Sequence, residues 1–114
     1  PKRAAIFTVV RHLIKAGRAP EEIAAIVSWR QKSMFRIASG VLTSAEFVAN
    51  QTAEAANGGR SFEARRFYCG DGELFHHDGR TYAFTNQWGQ RCTEAIDLLL
   101  EAYPEEPISY QASI

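Results

Sequence analysis

Over the first half of the chain, apolar residues recur at three-four spacing. Ile6, Val9, Val10, Leu13 and Ile14 trace one face of a helix, and Gly17 is placed to stop it. Pro20 suits the first turn of a second helix, with Glu21 and Glu22 at its positive dipole end and Ile23, Ala24, Ile26 and Val27 on its apolar face. Met34, Ile37 and Ala38 repeat the spacing, which predicts a third helix over Gln31–Ser39, closed by Gly40. Thr43-x-x-Glu46 has the spacing of a capping box, so a fourth helix is expected to reach Asn57-Gly58-Gly59.

Beyond Arg60 the pattern changes character. Phe62, Arg66, Phe67, Tyr68 and Cys69 read as a strand ended by the Gly70-Asp71-Gly72 turn. Glu73–His76 and Thr81–Phe84 read as two short strands, and Asp78-Gly79 between them is the strongest hairpin signal in the chain. Trp88, Cys92, Ile96, Leu99, Leu100 and Tyr103 trace a long helix that Pro104 stops, and Pro107 precedes a last expected strand, Ile108–Gln111. The expected class is α+β. A helical amino half, residues 1–59, packs on a small antiparallel sheet carrying one long helix, residues 60–114, in a single domain over 1–114.

Composition narrows this picture. With 114 residues, 46% of them hydrophobic and 23% charged, the chain fits one domain with a modest core and is not mainly disordered. The longest run of Leu, Ile or Val, Leu98–Leu100, is far shorter than the roughly 20 residues of a membrane span, so no membrane partner is expected. Arg11, His12 and Lys15 interrupt any signal-peptide reading of the amino end. Two isolated cysteines, Cys69 and Cys92, are expected to stay reduced, which together point to the cytoplasm.

The formal net charge is zero, yet it is a cancellation. Residues 1–60 hold nine Lys/Arg against four acids, a net of +5, so the remainder carries −5. Such asymmetry can mark a nucleic-acid face. Within the basic half, Ile23, Val27, Trp29, Met34 and Ile37 are spaced as two helices joined by a turn over Ser28–Arg30 would bury them. The segment Glu21–Ser39 resembles helix-turn-helix DNA-binding domains, in which the second helix enters the major groove. That resemblance implies that Lys32, Arg36 and Ser39 form the reading face, with Arg30 and Gln31 at its amino end. Ser28 stands where the family usually has Gly. The Asp78-Gly79 hairpin with Arg80 is a candidate wing, although some 35 residues separate it from the second helix.

The stretch Asp78–Gly89 concentrates unusual chemistry. It resembles accessory modules of bacterial restriction-modification proteins, which place an Asn/Trp/Gly-rich turn after a hairpin. Asn86 and Gln87 are suited to cap the following helix and Trp88 to staple its first turn. Alternatively Tyr82, Asn86, Gln87 and Trp88 form a platform on which a flipped or single-stranded base stacks.

No catalytic motif is strong enough to name a reaction, and no cofactor or metal is expected. His76-His77 with Asn86 resembles part of an HNH-type nuclease core, but the helix after Asn86 has no His, leaving Cys92 or Asp97 as substitutes. A zinc site from Cys69, His76, His77 and Cys92 lacks a Cys-x-x-Cys pair, and neighbouring His residues on a strand face opposite ways. A Cys nucleophile fails because apolar settings raise a thiol's pKa. The leading expectation is a non-catalytic DNA-binding or DNA-associated accessory domain, within a larger prokaryotic parent protein or as a homodimer. A protein-interaction or dimerisation domain using the aromatic face or the first helix is the alternative, and a degenerate HNH-like metallonuclease the third reading.

Overall fold

The computed structural model describes residues 2–104, with side chains from Ala4 onward. The expected strand Ile108–Gln111 lies outside the described residues. Within them the class is α+β, with four α-helices and one four-stranded antiparallel sheet. Contacts divide the chain into two compact units, Pro1–Met34 with Asn86–Ile114, and Phe35–Thr85. The division therefore falls at Phe35 and Thr85, not near residue 60.

The first unit is helical. Helix α1 (Lys2–Lys15) and helix α2 (Pro20–Ile26) both pack on helix α4 (Cys92–Ala102). Ile6, Val9, Val10 and Leu13 are fully buried, as the three-four spacing demands, and meet a face of α4 built from Ala95, Ile96 and Leu99. Gly17, at φ 102°, takes the left-handed conformation that ends α1 cheaply. Pro20 opens α2 where its missing N–H costs nothing. Tyr103 closes the unit. Its hydroxyl donates to Glu22 Oε2 at 2.5 Å, and the Arg18 guanidinium lies 4.8 Å from its ring centroid. Burial first, and then the Glu22 carboxylate, push the Tyr103 phenol well above its ordinary pKa, so the hydroxyl stays a donor. The long helix begins at Cys92, so Trp88 belongs to the loop before it rather than to its first turn.

The second unit is a sheet with one helix. Strand β4 (Arg80–Thr85) is its centre. Strand β1 (Phe35–Ser39) pairs along one edge, from Phe35 opposite Phe84 to Ser39 opposite Arg80. Along the other edge lie β2 (Phe67–Tyr68) and β3 (Phe75–His77). Asp78 and Gly79, at φ 52° and 75°, give the two left-handed positions that a two-residue hairpin of the right twist requires. Helix α3 (Ser44–Ala56) carries the expected capping box: Thr43 Oγ1 accepts from Glu46 N at 3.2 Å, and Thr43 N donates to Glu46 Oε1 at 2.9 Å. On one side of the sheet Ala38, Phe47, Cys69 and Ala83 form the core, with Phe62 and Phe67 packed against it. The other side stacks Phe35 against Tyr82 and Phe84, with Tyr68 on Phe84.

The third expected helix is not formed. Gln31–Ser39 is instead a turn leading into β1, after a 3-10 turn at Ser28–Arg30. Met34 and Ala38 are buried as a helix would bury them, but Ile37 is 42% exposed. From Arg36 to Ser39 burial alternates as in a strand, and β4 satisfies the backbone through residues more than 40 positions away. A local period cannot reveal such a partner.

Phe47 is fully buried at the centre of the second unit, so Phe47→Ala should lower its stability by roughly 3–5 kcal/mol in urea unfolding. Thr43→Ala, which removes only a cap, should cost about 1 kcal/mol. Equal losses would place Phe47 outside the cooperative core.

Candidate functional site

The five residues expected to form a reading face do not form one. Arg30 ends the 3-10 turn of the first unit, and Gln31 and Lys32 follow it, exposed. Arg36 and Ser39 lie on β1 in the second unit. Ser39 is exposed, but Arg36 is 8% exposed and fully engaged. Its Nε donates to Gln51 Oε1 at 2.9 Å, Nη1 to Ser61 O at 2.8 Å and Nη2 to Arg60 O at 3.2 Å, with the guanidinium 5.2 Å from the Phe62 ring. Burial and the Arg60 charge pull its pKa down, and Glu54 opposes them. Gln51, itself 1% exposed, also donates to the Ile37 carbonyl at 3.2 Å. Arg36 is thus the polar tie between β1, α3 and the Arg60–Ser61 segment. The candidate wing does form its hairpin, and Arg80 there lies 3.6 Å from Asp78.

Of the four candidate stacking residues, Tyr82 is fully buried in the sheet and presents no platform. Strand alternation aims it into the ring cluster with Phe35. Asn86, Gln87 and Trp88 do lie together, in the loop between β4 and α4, and Arg30 meets them. Arg30 Nη2 donates to the Gln87 carbonyl at 2.7 Å, and its guanidinium sits 4.7 Å from the Trp88 ring centroid. Gln87 Nε2 donates to Asn86 Oδ1 at 2.5 Å.

A second contact mirrors the first. Arg91 lies 3.6 Å from the Trp29 ring centroid. The turn gives Trp29 and Arg30, the loop gives Trp88 and Arg91, and each segment stacks its cation on the other's indole. A guanidinium is planar and weakly hydrated, so it settles on an electron-rich ring at little desolvation cost, for about 0.5–1 kcal/mol per partly exposed pair. Between them opens a pocket of about 200 Å³ lined by Trp29, Arg30, Gln87, Trp88, Gln90 and Arg91, with the buried Cys92 at its edge.

The two arginines differ in their surroundings. Arg91 Nε and Nη2 donate to Glu94 Oε1 and Oε2 at 3.0 and 2.9 Å, a bidentate pair that meets its charge with a carboxylate. Arg30 bonds a neutral carbonyl, its Nε is sealed from solvent with no hydrogen-bond partner among the described residues, and burial lowers its pKa. Sequence reasoning missed Trp29, Gln90 and Arg91 as members of one site. Each segment carries a Trp with an Arg one or three residues on, and that repeated pairing was the available signal.

Folding also redistributes charge. The first unit holds eight Lys/Arg against seven Asp/Glu, a net of +1, and the second five against six, a net of −1. The +5 and −5 halves of the linear chain do not survive as separate bodies, so any polyanion site must be local. The metal candidates fall in different units, Cys69 in the second and Cys92 in the first. Cys69 is buried and its Sγ donates to Ala64 O at 3.5 Å, while burial, then the Glu73 charge, raise its pKa. His76 is exposed with Nε2 2.9 Å from Leu42 O, and Asp97 is exposed on α4. No group of three or more His, Cys, Asp or Glu among the described residues is arranged to hold a metal ion.

The hydrogen bonds from Arg91 hold the Glu94 carboxyl below its ordinary pKa, outweighing a small opposing effect of burial. A depressed carboxyl stabilises the fold above its unfolded pKa, near ~4.3, and that contribution is lost as pH falls through the lower folded value. An NMR titration should find Glu94 below the ordinary Glu value, and Arg91→Ala should return it upward. An unmoved titration in the variant would show that the bidentate pair does not persist in solution. Neither a family model, nor a curated protein, nor a solved structure matches the chain, so the functional reading rests on these residues themselves.

Proposed function

We propose that the chain is a DNA-binding or DNA-associated module without catalysis of its own, and that its contact site is the Trp–Arg cleft of the first unit. The observation that carries this reading is the reciprocal stacking of Arg30 on Trp88 and Arg91 on Trp29 around an open pocket. Indole faces and guanidinium groups are the two side-chain chemistries that nucleotides use, the first for the base and the second for the phosphate. Gln31 and Lys32, exposed beside Arg30, extend the polar surface on one flank. Of the readings drawn from the sequence, this keeps Arg30, Gln31, Lys32, Asn86, Gln87 and Trp88 as contact residues and gives up Arg36, Ser39 and Tyr82, which belong to the second unit. The resemblance of Asp78–Gly89 to restriction-modification accessory modules fits the same role within a larger protein.

The interaction-domain alternative has less to stand on. Of the two surfaces it invoked, the apolar residues of α1, Ile6, Val9, Val10 and Leu13, are fully buried, and so are the rings of Tyr82 and Phe84.

Fluorescence anisotropy with a labelled oligonucleotide at about 50 and about 200 mM salt tests the proposal, because phosphate contacts release counterions. Binding should weaken steeply with salt, and Arg30→Ala should reduce the log-log slope by about 1. Trp88→Ala should cost roughly 1–3 kcal/mol of affinity, the usual worth of one stacked base. Arg36→Ala should leave binding of the folded protein unchanged while lowering stability by about 1–3 kcal/mol for each buried group left unpaired. Absence of binding at the lower salt, with light scattering showing a concentration-dependent mass instead, would replace this reading with the interaction domain.

A further inference from the structure

We infer that Trp88 is the platform for one unpaired nucleobase, and that Arg30, which now covers the ring, moves aside to hold that nucleotide's phosphate. The inference rests on the nucleic-acid reading of the cleft and gives it a ligand class: a single unstacked nucleotide rather than a paired duplex.

Three observations converge on it. The pocket, at about 200 Å³, is smaller than the roughly 300–1,000 Å³ of typical small-molecule sites and suits one planar ring system, not a base pair. A face of the Trp88 ring is taken by the Arg30 guanidinium, 4.7 Å from the ring centroid, and both residues line the pocket. That guanidinium is held by one side-chain hydrogen bond, to a neutral carbonyl, that of Gln87, while its Nε is buried without a hydrogen-bond partner among the described residues. A buried donor left unpaired favours any arrangement that pairs it.

A nucleotide supplies both halves of the exchange. Its base replaces the cation on the indole face, where every base can stack. Its phosphate offers oxygens to Arg30 Nε and Nη2 in the planar geometry a guanidinium prefers. Gln90, exposed and lining the pocket, has an amide free to meet a base edge. The Arg91–Trp29 pair, at 3.6 Å and tied by Glu94 on two nitrogens, is the fixed wall. The asymmetry between the two stacks selects Trp88 as the one that opens.

The chain has two tryptophans, so the Trp88 fluorescence is read as the difference between the wild-type protein and Trp88→Phe. Quenching of that fluorescence is followed with nucleosides, nucleoside monophosphates, a single strand, a duplex carrying one extrahelical nucleotide, and the fully paired duplex. The monophosphates, the single strand and the extrahelical nucleotide should quench Trp88, and the paired duplex should not. Ribose and deoxyribose strands of one sequence are compared, and the stronger quench names the source. Arg30→Ala should act in opposite directions, binding the nucleoside more tightly because the ring is uncovered and the monophosphate about tenfold more weakly because a charged contact is lost. Equal loss for both ligands, or equal quenching by paired duplex and single strand, would overturn the inference. Salt-dependent binding without quenching by any ligand would overturn it and leave the nucleic-acid reading standing. No binding of any kind would remove both.

Discussion

The antiparallel pairing of Phe35–Ser39 with Arg80–Thr85 is the constraint from which most of the structure follows. It begins at one end of the second unit's segment and closes at the other, so everything from Gly40 to Gly79 is a loop between its two strands. The chain leaves the first unit at Met34 and re-enters it at Asn86. The first unit is therefore assembled from two distant segments. That is why the Ser28–Arg30 turn and the loop before α4 can exchange side chains at all, and why no contiguous stretch of sequence contains the cleft.

The same pairing decides what Arg36 does. As a helical residue it would have stood beside Lys32 in solvent. As a strand residue opposite Ala83 it faces α3, where its charge is tolerable only because Gln51 and two backbone carbonyls take three of its nitrogens. Once buried, it ceases to be a contact residue and becomes a tie. Arg30 and Arg91 face the opposite choice. They remain near solvent and lie on indole rings, so their charge stays available to the pocket, although Arg91 shares its charge with Glu94.

Features set by neighbouring residues were legible before the fold was known. The capping box at Thr43 and Glu46, the Asp78-Gly79 hairpin, the Pro20 start of α2 and the apolar face of α1 all depend on fewer than about eight consecutive positions, and the structure has each of them. The readings that failed depended on partners the local pattern does not contain. Met34 and Ala38 satisfied a helical period by coincidence, because the turn before β1 buries the first and the strand itself the second. Tyr82 looked like a surface platform because nothing nearby announced the Phe35 ring that packs against it.

The sequence by itself determined the α+β class, its four α-helices through their periods, caps and stops, and the tight hairpin through the left-handed tolerance of Asp78 and Gly79. Tertiary structure alone decided which charges act together. Counted along the chain, the basic residues form a +5 half. Counted by folded unit they leave +1 and −1, because the chain returns from the sheet to the helical unit and brings acidic residues of α4 with it. Bulk charge is then close to neutral in both units, and what distinguishes the first unit is local geometry. That geometry is two indoles and two guanidinium groups drawn from segments more than 50 residues apart, which no local pattern contains and which the packing of α1 and α2 on α4 holds in one unit.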